Sequence, residues 1–330
     1  MSVVRIAGGL ALLVLVSAVA AGPATAVTTC TFTVVGTTMT LDADCTTDAT
    51  ILVPDGFTLD GASHTITAVD PPGDHFLGAV VANGGATASV VHLTVTASGL
   101  ANVCDPASPV DTRLRGILFV SASGTIAHNR VIGINQGASG CQEGNAIEVR
   151  NAPFDGSHPN TQAVVIFNNK IEAYQKTGIV ANGDVDVIIE NNQISASVTQ
   201  ANLAANSIQL GFGAKGRVSN NNVDGNSWCG PSDFAATAVL LFLAASGSEV
   251  SQNNIRGNSD VGIYLLADGT RVDNNRVFDS GADCNAFGYD IGVGNYGSGN
   301  VITNNKVRGF DTPFDNVTGG KNKVIPRPHD

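Results

Sequence analysis

The stretch Val187–Ser195, VIIENNQIS, runs from an apolar strand into two asparagines and then into another apolar residue. The same frame, apolar-any-Asn-Asn-any-apolar, recurs with small changes along the chain. It recurs in the segments 125–133, 165–173, 217–225, 249–257, 271–279 and 301–309, with a degenerate copy at 89–97. The shortest steps between equivalent asparagines, Asn169 to Asn192 and Asn253 to Asn275, are 23 and 22 residues. A repeat of this length is typical of a solenoid.

The paired asparagines have a physical reason in such a fold. Successive coils of a β-solenoid lie about 4.8 Å apart, so the chain must bend sharply between short strands. Asparagine tolerates the left-handed backbone region that a sharp bend requires. Stacked coils also place equivalent Asn amides above one another, where each amide donates to and accepts from its neighbours. The repeat therefore predicts a ladder of Asn side chains along the solenoid.

A second signal lies out of phase with the first. It is a small residue followed by apolar, any and apolar residues, as in GILFV (116–120), AIEVR (146–150), GIVAN (178–182) and GIYLL (262–266). Period-two alternation predicts short strands with one buried face. Because parallel crossovers are right-handed, the sequence predicts an all-β, right-handed parallel β-helix with Asn-ladder turns.

These motifs resemble the right-handed parallel β-helix proteins of the pectate-lyase-like superfamily, in particular its exported repeat proteins of undefined activity. The resemblance covers roughly residues 50 to 325 and includes the opening coil ILVPDGFTLDGASHTI (51–66). It implies that the GIxV segments form the first strand of each coil and that the Asn turn joins the second and third strands. It also implies that any active cleft lies on the outer face of the first-strand sheet, between long loops.

The ends of the chain predict export. Residues 1–26 read as a signal peptide with an apolar run and the small-residue cleavage site Ala24–Ala26; the alternative is a retained membrane anchor, for which the run is short. We expect an N-terminal cap and first strands at 27–57, the β-helix at 58–325 and a tail at 326–330. The mature protein is then secreted and monomeric, with no membrane contact. The net charge of −11 predicts that the protein does not bind nucleic acid, because phosphate binding requires clustered Lys and Arg.

Six cysteines, an even number in an exported chain, predict three disulfides. Cys30 and Cys45 both lie in the cap, whose role is to cover the open end of the first coil. Cys104 and Cys141 fall in the long insertions 97–115 and 133–145, one coil apart. Cys229 and Cys284 fall in the insertions 225–237 and 279–289. The predicted pairs are therefore Cys30–Cys45, Cys104–Cys141 and Cys229–Cys284.

The candidate site lies on the outer face of the first-strand sheet. If Ile147 and Val149 point inward, Glu148 and Arg150 point outward, and they are the candidate catalytic residues. The candidate substrate-binding residues on the same face are Asn182, Gln209 and Tyr264. Flanking loops add Asp105, Asp111, Arg113, Arg115, Glu143, Asp155 and His158. Leu240, Phe242 and Leu266 make an outward apolar row, and Trp228 is either a further sugar-stacking ring or part of a loop that covers this row.

The resemblance implies a protein that engages extracellular or cell-wall polysaccharide on the face of the first-strand sheet. Whether it also cleaves the polysaccharide is left open; if it is an enzyme, it is a polysaccharide lyase or a glycoside hydrolase. A lyase of this superfamily typically uses an Arg or Lys base with acidic residues that hold Ca²⁺, and a hydrolase uses paired carboxylates. The chain departs from both schemes, because it lacks an Asp-Asp pair followed by Gly-His and lacks an acidic triad at coil spacing. No cofactor or metal is expected unless a lyase binds Ca²⁺. The alternative function is a non-catalytic surface or adhesion scaffold.

Overall fold

The computed structural model describes residues 27–107, 110–151, 161–198, 203–281 and 284–326. The predicted signal peptide, the last four residues of the chain, Asp155 and His158 lie outside these ranges. The first strands are β1 (Phe32–Val35), β2 (Thr38–Leu41), β3 (Cys45–Thr47), β4 (Ile51–Val53), β5 (Phe57–Asp60), β6 (Thr65–Ala68), β7 (Ala79–Asn83), β8 (Thr87–Val91), β9 (Thr94–Ala97), β10 (Arg115–Val120), β11 (Ser123–Ala127) and β12 (Arg130–Ile132).

The central strands are β13 (Asn145–Asn151), β14 (Gln162–Phe167), β15 (Lys170–Glu172), β16 (Thr177–Gly183), β17 (Val185–Glu190), β18 (Gln193–Ile194), β19 (Asn206–Gly211), β20 (Lys215–Ser219), β21 (Asn222–Asp224), β22 (Thr237–Phe242), β23 (Glu249–Ser251) and β24 (Asn254–Arg256). The last strands are β25 (Val261–Leu266), β26 (Arg271–Asp273), β27 (Arg276–Phe278), β28 (Ile291–Asn295), β29 (Val301–Thr303), β30 (Lys306–Arg308), β31 (Thr312–Asp315) and β32 (Lys323–Val324). Within the ranges given above, no helix is long and apolar enough to span a bilayer.

The strands form three long sheets, and each coil contributes one strand to each sheet. The first sheet runs from β4 through every third strand to β31, the second from β1 and β2 to β29, and the third from β3 to β32. Pairing between coils is parallel and in register, so that Ile117, Ile147 and Ile179 lie side by side in the first sheet. The chain is therefore a three-sided parallel β-helix, as the repeat predicts.

The two asparagines of the repeat have different tasks at the turn between the second and third sheets. The first residue of the pair takes a positive φ, for example 55° at Asn168 and 57° at Asn191. The second asparagine is buried and forms the ladder: Asn169 Nδ2 donates to Asn192 Oδ1 of the next coil at 3.0 Å and to Ile126 O of the preceding coil at 2.9 Å. The backbone N–H of Asn169 also donates to Asn192 Oδ1, at 2.9 Å.

The ladder is longer at its C-terminal end than the sequence predicts. Rungs between side-chain amides span 2.9–3.1 Å and join Asn129, Asn169, Asn192, Asn221, Asn253, Asn275, Asn305 and Asn322. The repeat analysis missed Asn322, which follows Lys321 rather than an Asn. At the other end Leu93 takes the ladder position, and only its backbone N–H donates to Asn129 Oδ1, at 3.1 Å. Every amide hydrogen-bonding group in the interior rungs is thereby satisfied.

The disulfides agree with the sequence prediction. Strand β1 pairs antiparallel with β2, and parallel pairing begins with β2–β5. All three predicted disulfides form: Cys30–Cys45, Cys104–Cys141 and Cys229–Cys284. The second disulfide joins the loop between β9 and β10 to the loop between β12 and β13. These two loops flank the N-terminal half of the first sheet.

The ladder predicts a large stability difference between two neighbouring residues. Replacing Asn192 by Ala removes the acceptor of the backbone N–H of Asn169 and of one of its side-chain N–H groups, and it removes the side-chain donor to Ile166 O. We expect Asn192→Ala to lower the free energy of unfolding by about 2–5 kcal/mol, since each buried unsatisfied group costs roughly 1–3 kcal/mol. Urea unfolding followed by circular dichroism measures this. The control Gln193→Ala, at an exposed position, should change it by less than about 0.5 kcal/mol; equal effects would contradict the role given to the ladder.

Candidate functional site

The outer face of the first sheet carries rows of side chains held in register by parallel pairing. Ile147 and Val149 lie in the core, so the predicted alternation places Glu148 and Arg150 on the outer side. Glu148 pairs in register with Leu118 and Val180, and the row continues through Gln209, Leu240 and Tyr264. Arg150 lies between Val120 and Asn182 in a parallel row, which leads on through Gly211 to Phe242 and Leu266. Rows of this kind place functional groups at fixed intervals along the solenoid.

The loop between β9 and β10 lays a charged network over this face. Asp111 accepts hydrogen bonds from Arg113 Nε at 2.8 Å and Nη2 at 2.7 Å, and from Arg115 Nη1 at 2.8 Å and Nη2 at 2.7 Å. Arg150 Nη1 reaches the same carboxylate at 2.5 Å. Burial by itself raises the pKa of Asp111, but the hydrogen bonds and charges of the arginines outweigh it and hold that pKa well below its usual range.

Glu148 faces outward but is covered by this network. Its Oε2 accepts from Arg115 Nε at 2.7 Å and from Asn145 Nδ2 at 2.8 Å, and Arg150 Nη1 lies 3.7 Å from its Oε1. Only 4% of the Glu148 side chain is exposed. Our assignment of Arg115 to a flanking loop is wrong: it is the first residue of β10 and is 1% exposed. Burial lowers the pKa of Arg115, but the attraction of Glu148 and the bonds to Asp111 raise it overall.

A pocket of about 380 Å³ opens beside the network. Three predicted site residues, Glu148, Asn182 and Gln209, line it together with Arg113, Asn145, Lys176 and Phe212. Gln209 joins the amides of two coils: its Nε2 donates to Asn182 Oδ1 at 3.4 Å, and its Oε1 accepts from Asn206 at 3.0 Å. Two polar atoms in or beside the pocket are buried without a hydrogen-bond partner among the described residues, Asn145 Oδ1 and Arg150 Nε. Such atoms are rare in folded proteins, where a bound water, an ion or another polar group usually completes the bonding.

Lys176 is a residue of this pocket that the sequence analysis did not identify. It precedes β16 and is half-buried, with its Nζ donating to Ala204 O at 2.6 Å. Burial lowers its pKa to about 8, because a desolvated ammonium group is disfavoured. A lysine with a lowered pKa in a polar pocket is a candidate functional group. No sequence motif marks it, since its environment is made by the neighbouring coils.

Two aromatic residues considered for sugar binding lie elsewhere. The Tyr264 ring makes an edge contact with Tyr296, with 5.3 Å between centroids, and does not line the pocket with Glu148. Trp228 is 2% exposed, and its Nε1 donates to Ser232 O at 2.7 Å. The backbone N–H of Trp228 donates to the buried carboxylate of Asp260 at 2.9 Å. Trp228 therefore anchors its loop and presents no ring face to a ligand.

His75 holds the loop that carries Asp111. Its Nε2 lies 2.9 Å from Asp105 Oδ1, and its Nδ1 lies 3.1 Å from Asp74 Oδ1. The hydrogen bond to Asp105 raises the pKa of His75. Glu143 Oε1 accepts from the backbone of Asp105 at 3.1 Å, and burial raises the pKa of Glu143. The loop is thus held through Asp105, which contacts both His75 and Glu143 next to the Cys104–Cys141 disulfide.

One group of three close metal-ligand side chains occurs within the part of the chain that the structure describes. It consists of Cys104, Cys141 and Glu143. Both cysteines are joined in a disulfide, so this group leaves a metal ion only the carboxylate. No ion site is derived from it.

Comparison with known proteins gives the family of the fold. Two solved structures similar to the chain are the Dettilon tailspike protein, with 12% identity and a TM-score of 0.44 over 88% of this chain and 55% of that one, and the receptor-binding protein of bacteriophage Det7, with 12% identity and a TM-score of 0.22 over 86% of this chain and 74% of that one. This chain thus spans about half the length of the Dettilon tailspike. No curated protein matches the sequence significantly. The family model for the right-handed beta helix region matches residues 157–326, which is 170 of the 330 residues. The chain therefore belongs to the right-handed beta helix family.

Proposed function

We propose that this protein binds an extracellular polysaccharide that contains acidic sugars, in the pocket lined by Glu148, Asn182 and Gln209. The observation that carries the proposal is the combination in one pocket of amide side chains, cationic side chains and Asn145 Oδ1, which has no hydrogen-bond partner among the described residues. Sugars present many hydroxyl groups, which amides recognise because they both donate and accept hydrogen bonds. Three disulfides fit a protein that works outside the cell.

The local charge favours acidic sugars despite the negative charge of the whole chain. In and beside the pocket lie four cations, Arg113, Arg115, Arg150 and Lys176, against the carboxylates of Asp111 and Glu148. The third carboxylate nearby, Glu143, is buried behind the network and accepts from the backbone of Leu114 at 2.7 Å. A local excess of cations attracts a carboxylate- or sulfate-bearing ligand to this position.

The binding proposal predicts different effects for two identical charge changes. Titration of the mature, oxidised protein with neutral and acidic polysaccharides should show binding of an acidic one that weakens as salt is added. Asn182→Asp puts a negative charge into the pocket and should reduce that affinity roughly tenfold or more, about 1.4 kcal/mol or more. The control Asn222→Asp adds the same charge at an exposed position of the third sheet and should leave affinity nearly unchanged. Absence of binding, or equal losses in the two variants, would contradict the proposal.

Cleavage by β-elimination is a second candidate function, and Lys176 is the observation that favours it. A lyase needs a base that removes the proton next to the sugar carboxylate. The glycosidic C–O bond then breaks, a C=C double bond forms in the sugar, and the departing oxygen takes a proton from water. Arginine stays protonated in proteins, and Arg150 is already bound to Asp111. Lys176, with its pKa lowered to about 8, is better suited to accept a proton.

The lyase candidate predicts a specific pH profile. Because only neutral Lys176 accepts a proton, kcat/KM for unsaturated product should rise with pH and level off above about 8. Lys176→Gln should abolish turnover and retain measurable polysaccharide binding, while Gln193→Ala should behave as wild type. The assay follows the absorbance and mass of unsaturated fragments, with and without Ca²⁺. Products carrying added water would indicate a hydrolase, and no product across a broad panel would leave binding as the function.

A further inference from the structure

Two bulky apolar residues stand in a strained position at the turn that leaves the first sheet. Phe212 follows β19 with φ 55°, and Leu243 follows β22 with φ 53°. The parallel register puts the two residues at equivalent positions of adjacent coils. Positive φ is unfavourable for large side chains, which crowd the backbone in this region. Earlier coils place Ser121 and Gly183 here, which fit the turn with less crowding.

The same two side chains are also exposed to solvent. Phe212 is 41% exposed and Leu243 is 58% exposed. Both the backbone conformation and the exposed apolar surface disfavour these residues in the folded chain, and a glycine would remove both costs. Contact with a molecule outside the chain would offset both costs, because strained residues and exposed apolar patches concentrate where ligands bind.

The surroundings of Leu243 form a depression suited to the flat face of a sugar ring. Its volume is about 540 Å³, and its apolar walls are Phe242, Leu243, Leu266 and the ring of Tyr296. Ser246 and Asp268 add polar groups at its edge. A sugar ring has C–H groups on its faces and hydroxyl groups around its rim, so it matches apolar walls with a polar border. The volume lies in the range of small-ligand sites.

Phe212 connects this depression to the pocket of the proposed function. It lines the pocket with Asn182 and Gln209, and its ring makes an edge contact with Phe242, with 5.3 Å between centroids. From the coil of Asn182 to the coil of Tyr296 is four steps in the first sheet, which is roughly 19 Å at the spacing of parallel strands. One extended saccharide chain can therefore contact both places.

We infer that the depression at Phe242 and Leu243 is a second sugar subsite, which stacks rings of the same glycan whose acidic part occupies the pocket at Glu148. This inference rests on the proposed function, since it assigns the ligand of the depression by continuity with that pocket. The polysaccharide then lies along the solenoid axis. Its acidic sugars are held by the charged network, and sugar faces further along the chain are held by the apolar walls.

Oligosaccharides of graded length, cut from the polysaccharide that binds best, test the subsite. For wild type, affinity should increase with length until the ligand reaches the depression. The variant Leu243→Gly, at a residue that lines the depression and not the pocket at Glu148, should bind short fragments as wild type does and lose roughly tenfold in affinity for long ones. Its melting temperature should stay equal or rise, because glycine relieves the strained turn. Ser121→Gly, at the same turn position of an earlier coil, is the matched control and should bind all lengths normally.

The outcomes separate the subsite from the proposed function. Unchanged affinity of the Leu243→Gly variant for long fragments overturns the subsite and leaves the proposed function standing, as does an equal loss for short and long fragments. Failure of the wild type to bind any polysaccharide overturns both. Sedimentation provides a further measurement: association of the wild type that Leu243→Gly abolishes would identify the apolar walls as a contact between copies of the chain, and would also overturn the subsite.

Discussion

The hydrogen-bonded ladder of buried asparagines is the constraint on which the rest of the structure depends. Each rung satisfies the side chain of one coil, the backbone N–H of that coil and a carbonyl of the coil before it. A shift of one residue in any coil would break these bonds and would also turn that coil's apolar side chains outward. The ladder therefore fixes the register of all three sheets, and the rows on the outer face of the first sheet follow from it.

On that fixed face, the loops decide what is accessible. The loop between β9 and β10 carries Asp111 onto the sheet, where one carboxylate binds three guanidinium groups and Glu148 lies beneath them. Removing charges from water is unfavourable, so such a network persists only when each charge has close partners. Three anchors hold the loop in place: the Cys104–Cys141 disulfide, the His75–Asp105 contact and the bond from Asp105 to Glu143. The pocket beside the network is therefore built in advance of any ligand.

The fold could be predicted from local sequence because its main signals are local: the Asn pair sets the turn, and alternation sets the buried face. The repeat analysis missed Asn322 because Lys321, and not an Asn, occupies the left-handed position before it. The site was less predictable, because burial there is made by other coils. Alternation placed Glu148, Asn182 and Gln209 on one face. The sequence around Arg115 and Lys176, however, does not show which loops and coils bury these two side chains. The sequence did not mark Phe212 as a residue of the site, because what distinguishes it is the positive φ of its backbone.

Identical rungs have a consequence for how such a chain evolves. Because each coil bonds to its neighbours through the same groups, a duplicated or deleted coil can join the ladder without a new kind of contact. The length of the molecule is then free to change in whole coils, while insertions between the third and first sheets change independently. A lineage can thus lengthen the outer face of the first sheet by tandem duplication, and can alter the surface beside it by exchanging loops, with the interior left as it was.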